Sequence, residues 1–229
     1  SLETRLVLIH DGVVPQTQIA SALGAALVWD DQQLCWRPQC EGAQGQTSQA
    51  GLWVLGDGAR ILGAEAARLQ GALMAAAVLE ALGQTVSAPQ RRAGEHAQAA
   101  LAPLQRMRHF LDAQYPPAEA FDQPDDSTLV CRCEAVTAGE IRRVAAQGCT
   151  GLNQMRAFTR AGMGPCMGRQ CQASIARIMA AAQGRSVEAL GTMSQRMPLR
   201  PVTLAQMLAG APPPDAKRPR FQAPHERKG

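Results

Sequence analysis

Leu129-Val130-Cys131-Arg132-Cys133-Glu134-Ala135-Val136-Thr137 and, further on, Gly162-Met163-Gly164-Pro165-Cys166-Met167-Gly168-Arg169-Gln170-Cys171 carry four of the chain's seven cysteines in two tight pairs. One residue separates the first pair, four separate the second, and 32 residues lie between them, enough for two short helices that return the chain to its start. Thiolates are soft ligands that suit iron–sulfur clusters and zinc, and four complete the shell of either. A one-residue spacing is less usual for structural zinc, so the pattern favours iron–sulfur, with zinc or free thiols as alternatives.

The surrounding residues predict a small helical domain over residues 127–192. Thr137 and Glu140 stand at capping-box separation, Ile141, Val144 and Ala145 supply an apolar face, and Gly148 stops that helix. A second helix is expected from Leu152 to Ala161. A third is expected from near Gly168 through Ala182, with Ile175, Ile178 and Met179 at core spacing and Cys171 in its first turn. Helix N-terminal N–H groups there favour negative charge. Arg132 and Arg169 flank ligands but read equally well as solvated surface residues.

Upstream the pattern changes to strand, glycine turn and helix. Leu6 to Ile9 reads as a buried strand followed by a turn at Asp11-Gly12, and Thr17 to Leu23 as a short helix. Val28-Trp29 and Leu34 to Trp36 form a small hairpin in this reading. Leu52-Trp53-Val54-Leu55 is a second buried-strand pattern that runs into Gly56-Asp57-Gly58 and an Ala-rich helix from Gly63 to Leu82, an α/β signature. Pro89 opens a polar helical stretch through Asp112 that Pro103 should kink or divide, and Tyr115 to Asp126 reads as a linker. The division expected is residues 1–86, a helical linker 87–126, residues 127–192, and an extended, largely disordered basic tail 193–229.

At 229 residues and 46% hydrophobic, the chain can bury two cores; 3% aromatic residues favour packed helices over a β-sandwich. The net charge of +4 gathers in the tail with Lys217, Arg218, Arg220, Arg227 and Lys228 among prolines, so no nucleic-acid partner is expected. Gly71 to Leu79, the longest apolar run, is stopped by Glu80 and falls short of a membrane span. Ser1-Leu2-Glu3-Thr4-Arg5 lacks a signal peptide's pattern, which sets the expectation of a soluble, cytoplasmic protein. The histidines are scattered and propose no hydrolytic chemistry, and no catalytic residue is assigned. Cys35, Cys40 and Cys149 read as small hydrophobes.

The two cysteine segments resemble the bacterioferritin-associated-ferredoxin-like [2Fe-2S] domain, with all four ligand positions, Cys131, Cys133, Cys166 and Cys171, at that family's spacing. Thr47 to Gly71 resembles the C-terminal FAD-contacting motif of two-dinucleotide-fold flavoproteins, and Gly12-Val13-Val14-Pro15-Gln16-Thr17 is similar to the segment returning from their second nucleotide domain. This resemblance implies that Asp57, between Gly56 and Gly58, binds the ribityl chain; a tight strand-to-helix connection capped by Asp57 is the structural alternative. Together the halves resemble the A (alpha) subunit of opine oxidase, hydrogen cyanide synthase and related amine or amino-acid dehydrogenases.

That resemblance implies an α/β fragment of a two-dinucleotide-type FAD domain followed by a small all-α [2Fe-2S] domain, mainly helical overall. Such flavoproteins begin with a strand and Gly-x-Gly-x-x-Gly loop for the FAD pyrophosphate, and no such motif occurs here. FAD is therefore expected only with an N-terminal half supplied, possibly as a separate chain. Oxidation of a C–N bond yields two electrons and the cluster passes one, so a flavin stands between substrate and cluster. The implied partner is a D-amino-acid-oxidase-like flavoprotein (beta) subunit in a hetero-oligomer. The alternative is a non-catalytic [2Fe-2S] module, or second to that a zinc one, acting as electron carrier or redox sensor.

Overall fold

The computed structural model describes residues 3–6, 12–118, 120 and 122–210. The expected strand and turn over Leu6–Gly12 therefore fall mostly outside the described residues, as does the tail beyond Gly210. The elements run α1 (Gln18–Ala22), β1 (Leu27–Asp30), β2 (Cys35–Pro38), β3 (Cys40–Glu41), β4 (Gln46–Thr47), a 3-10 turn at Gly56–Gly58, α2 (Ala64–Ala81) and α3 (Ala88–Gln114). After the linker come β5 (Leu129–Cys131), β6 (Val136–Thr137), α4 (Ala138–Ala146), α5 (Leu152–Thr159), α6 (Gln172–Gln183), α7 (Val187–Leu190) and α8 (Leu204–Ala209). None of the helices among the described residues is long and apolar enough to cross a membrane.

The expected hairpin is present as β1 and β2, antiparallel with Asp30 opposite Cys35 and Trp29 opposite Trp36. Asp30 closes its turn: Oδ1 accepts from the N–H groups of Gln32 at 3.1 Å and Gln33 at 3.0 Å, a turn this residue type favours. The two indoles meet edge to face at 5.8 Å. Gln33 at the tip clamps the chain further on. Its Nε2 donates to the carbonyl of Ile61 at 2.7 Å and to Asp112 Oδ2 at 3.1 Å, and its Oε1 accepts from Ile61 N at 3.1 Å.

Leu52 to Leu55 does not form the expected buried strand. It makes one antiparallel bridge, Trp53 to Gln46, supported by Val54 N donating to Gly45 O at 2.8 Å. A buried strand needs neighbours on both edges. Here only β4 lies beside it among the described residues, and Gly51 and Gly56, at φ +77° and +60°, turn the chain at both ends.

The helix after the glycine turn is α2 over Ala64–Ala81, within one residue of expectation at each end. It pairs with α3, burying Ala66, Leu69 and Leu73 against Ala97 and Leu101. Ser87 and Gln90 form a reciprocal capping box at the start of α3, with Pro89 in its first turn. Pro103 does not divide the helix: α3 continues unbroken for 27 residues. Its missing N–H removes one bond, while packing of Leu101 and Leu104 on α2 holds both sides in register.

In the C-terminal part, Ile141, Leu152, Met155, Ile175, Ile178 and Met179 are fully buried, each contributing about 2 kcal/mol over exposure. This part is helical, but one short ladder, Leu129 opposite Thr137 and Cys131 opposite Val136, departs from the all-α expectation. The third helix begins at Gln172 rather than near Gly168, because Met167 and Gly168 take left-handed conformations, φ +53° and +80°, to reverse the chain. The second ends at Thr159 rather than Ala161, since Arg160 turns out at φ +63°.

The chain stays anchored just past residue 192. Met193 is buried in the core, Ser194 N donates to Asn153 Oδ1 at 2.9 Å, and Leu204–Ala209 is helical behind a capping box at Thr203. The extended reading of the tail missed both features: Asn153 of α5 holds Ser194, whereas the capping box at Thr203 is local.

Candidate functional site

Cys131 ends β5 and Cys133 lies in the turn that β6 closes. Thr137 Oγ1 accepts from Glu140 N at 3.3 Å to start α4, without the reciprocal Glu140 bond of a full capping box. Asp126 O accepts from Gly139 N at 3.0 Å, and Asp126 pairs with Arg142, which fastens the chain leading into β5. The first cysteine pair is thus held from both sides by the start of α4.

The second pair is brought over by the end of α5. Thr159 Oγ1 donates to Met155 O at 2.7 Å and accepts from Ala161 N at 3.1 Å, turning the chain so that Gly162 N donates to Cys131 Sγ at 3.5 Å. Two glycines then make the approach possible. A Cβ at Gly162 would lie 2.7 Å from Met193 Sδ, and one at Gly164 would lie 2.1 Å from Cys133 Cβ and 3.1 Å from its sulfur. Any side chain at Gly164 would displace Cys133.

All four cysteines predicted from the sequence come together at one end of this helical part. Cys131 lies near enough to Cys171 to act on its thiol, and Cys133 near enough to Cys166. Cys166 and Cys171 are also near enough to feel each other's charge. Cys131 and Cys171 are buried, Cys166 is half-buried and Cys133 is exposed. Among the described residues, no three His, Cys, Asp or Glu side chains surround a single metal-sized point.

The two halves of the second pair differ electrostatically. Burial alone would push the Cys166 thiol up, but N–H groups of Gln170 and Gly168, a hydrogen bond with Cys133 and the Arg169 charge bring it below the ordinary thiol value. Burial, with the neighbouring Cys131 and Cys166, pushes Cys171 up to about 12. Cys171 stands at the N-cap of α6, its carbonyl accepting from Ile175 N at 2.9 Å, rather than inside the first turn.

Gly56, Asp57 and Gly58 stay together in the 3-10 turn ahead of α2. Asp57 is exposed, and its Oδ1 accepts from Leu62 N at 3.2 Å and Gly63 N at 3.3 Å, so the carboxylate holds the loop that leads into α2. Gly56 N donates to Gln70 Oε1 at 2.9 Å, and a Cβ at Gly56 would lie 3.1 Å from that of Ala67. The turn therefore packs tightly on α2. Of the remaining cysteines, Cys35 and Cys149 are buried, while Cys40 is only partly so.

Sequence reasoning missed two features near these sites. Asp30, 6% exposed, pairs with Arg37 at 3.0 Å and Arg60 at 3.1 Å; the only sequence signal was Asp30-Asp31 between two apolar runs. Met193, packed against Gly162 and Gly168, gave no signal at all.

A family model described as the sarcosine oxidase A3 domain matches residues 125–211. The opine oxidase A-subunit of Agrobacterium tumefaciens (strain Ach5) is 40% identical over 211 residues, covering 90% of this chain and 41% of that protein. The hydrogen cyanide synthase subunit HcnB of Pseudomonas aeruginosa is 33% identical over 195 residues, covering 83% of this chain and 40% of that protein. The chain thus spans about two-fifths of the length of these curated relatives. Among solved structures, L-proline dehydrogenase from P. horikoshii superposes with a TM-score of 0.67 at 20% identity, covering 85% of this chain and 37% of that one, a likeness of fold.

Proposed function

The chain belongs, over the length it spans, to the A-subunit family of opine oxidase and hydrogen cyanide synthase, and from that premise we propose that it is the electron-transfer portion of a flavin- and [2Fe-2S]-dependent oxidoreductase. In this reading Cys131, Cys133, Cys166 and Cys171 hold the cluster, and a partner flavoprotein acts on the C–N bond of an amino acid or opine-like substrate.

The approach of Cys171 to Cys131 and of Cys166 to Cys133, at two neighbouring points, supports the reading. A two-iron centre needs two cysteines at each of two neighbouring points, whereas a tetrahedral zinc needs four around one. The donors also fit an anionic cluster: N–H groups of Gly162, Gly168 and Gln170 face sulfur, and Arg169 adds positive charge beside Cys166. A bound [2Fe-2S] centre supplies one-electron transfer between a flavin and an acceptor.

The chain's own residues fix where that happens. Gly164 permits the loop to close on Cys133, Met193 fills the space beneath Gly162 and Gly168, and burial of Cys131 and Cys171 keeps one side of the site dry. The exposed Cys133 side faces outward, where an electron partner has access. Asp57 and its flanking glycines serve the ribityl chain of FAD when the N-terminal nucleotide half is supplied. The remaining partner is a D-amino-acid-oxidase-like beta subunit, the setting is the cytoplasm, and the units divide as residues 1–86, 87–126 and 127–192.

The test is anaerobic purification with iron and acid-labile sulfide assays and an electron paramagnetic resonance spectrum before and after dithionite. We expect a brown protein with about two iron and two sulfide per chain and a rhombic signal on reduction. Both should be lost in Cys131→Ser and Cys171→Ser. A colourless protein holding one zinc, or no metal, would sink the proposal.

A further inference from the structure

A cavity of about 260 Å³ lies where the β1–β2 hairpin and the loop before α1 face the first turns of α6. Neither Asp57 nor any of the four paired cysteines lines it. Its wall contains an unusual concentration of unmade hydrogen bonds. Four buried side-chain polar atoms lack a hydrogen-bond partner among the described residues, and three belong to residues lining this one cavity: Gln18 Oε1, Trp36 Nε1 and Gln172 Oε1. Buried polar atoms are normally paired, so three from three separate elements around one space point to a missing partner. Gln18 is only 9% exposed, so bulk solvent does not supply one.

The chemistry of the wall limits what that partner is. The indole Nε1–H of Trp36 only donates, so the occupant presents an acceptor there. Arg169 and Arg177 line the cavity and no Asp or Glu does. Arg177 is paired with Asp122, but Arg169 has no carboxylate partner among the described residues and spends only its Nε–H, on the carbonyl of Cys166 at 3.0 Å. Most of the remaining wall is apolar, Leu152 included. The space is therefore built for a compact apolar body with an ionised acceptor group.

We propose that this cavity binds a small organic carboxylate, its ionised group met by Trp36 Nε1–H and the free face of Arg169. The carboxamides of Gln18 and Gln172, whose oxygen and nitrogen ends interchange by a half-turn, meet its other polar atoms. None of the four cysteines lines the site, although Arg169 borders both, and the site stands whether or not the thiols hold iron. Its position, with Gln172 directly after Cys171 and Arg169 beside Cys166, places a bound anion next to the second cysteine pair.

The test titrates the purified chain with benzoate, 4-hydroxybenzoate and inorganic phosphate, read by tryptophan fluorescence and by ligand-observed saturation-transfer NMR. Saturable binding of at least one of the two carboxylates with a Kd of about 1 mM or tighter is expected, and weaker or no binding of phosphate. Trp36→Phe, which keeps an aromatic ring but removes the donor, and Arg169→Gln should each weaken it by about tenfold with Tm unchanged. Arg156→Gln, away from the cavity, should leave it alone. Absence of saturation by both carboxylates, phosphate binding as tightly as they do, or equal affinities in parent, Trp36→Phe and Arg169→Gln would overturn the proposal.

Discussion

Replacing Gly164 by alanine separates the cluster site from the fold that carries it. A Cβ there would lie 2.1 Å from Cys133 Cβ, whereas non-bonded carbons rest at about 3.5–4.0 Å. One of the two must therefore retreat by roughly 1.5 Å, and the neighbour is a Cβ on the backbone rather than the end of a flexible side chain. Metal–sulfur bonds are about 2.3 Å long, so a sulfur displaced by that much no longer ligates. Overpacking of this kind costs about 1–3 kcal/mol, within the stability of an ordinary domain. Gly164→Ala should accordingly fold, with unchanged far-ultraviolet circular dichroism and a Tm lower by a few degrees, roughly. Its iron and sulfide should fall below about half the parent's, with the visible absorption and reduced-state resonance lost in proportion. Gly71→Ala is the control, since a Cβ there meets nothing within 4 Å and α2 favours alanine. A Gly164→Ala protein with the parent's metal content and spectrum would refute the assignment of Cys133 as a ligand.

Two further predictions concern the N-terminal part. Burial alone would push the Asp30 carboxyl up, but the N–H of Gln33, the Arg60 charge, the Arg37 hydrogen bond and the N–H of Gln32 together hold it below its usual 3.8. Its stabilisation is therefore present above that value and lost as pH falls through the lower folded-state value, so Asp30→Asn should cost about 3 kcal/mol at neutral pH and less at pH 3. Urea titrations at the two pH values check this, and an equal loss at both would exclude the ion pairs as its cause. Burial, helped by Asp30 and Asp112, raises Cys35 to about 12 against 9.0 unperturbed, so the folded chain keeps a proton that the unfolded chain releases. Stability should then decline as pH rises from about 9 toward 12, with a shallower decline in Cys35→Val, and Cys35 should resist iodoacetamide in the native state; rapid alkylation would contradict its burial.

Local chemistry made part of this structure legible. The ends of α2 were carried by Gly63 and Gly83, the start of α3 by Pro89, and the buried faces of α4 and α6 by residues at helical spacing. The cysteine spacing was enough to bring four thiols to one end of the helical part, because it leaves room for α4 and α5 to double back. What failed depended on contacts distant in sequence. Leu52 to Leu55 carries a buried strand's residues but, among the described residues, finds only β4 beside it. Met193 is core because it fills the space under two glycines more than 20 residues earlier. The cavity that gathers Gln18, Trp36 and Gln172 joins three segments that no local pattern connects.

The backbone itself marks the cysteine loops as more than a packing solution. Among the described residues four non-glycines take positive φ, and three of them, Ala135, Arg160 and Met167, lie in the turns that deliver Cys133, the Gly162–Gly164 loop and Cys166. Each such conformation costs of order 1 kcal/mol and persists only where surrounding contacts over-determine it. Those contacts are present: the β5–β6 ladder holds Ala135, Thr159 bonds both sides of the turn at Arg160, and Met167 N donates to Gly164 O at 2.8 Å. A helical core needs none of these turns to bury Ile141, Ile175 or Met179. The turn at Arg160 also ends α5 and the one at Met167 precedes α6, so the same strained positions that set the helix ends bring the cysteine loops together.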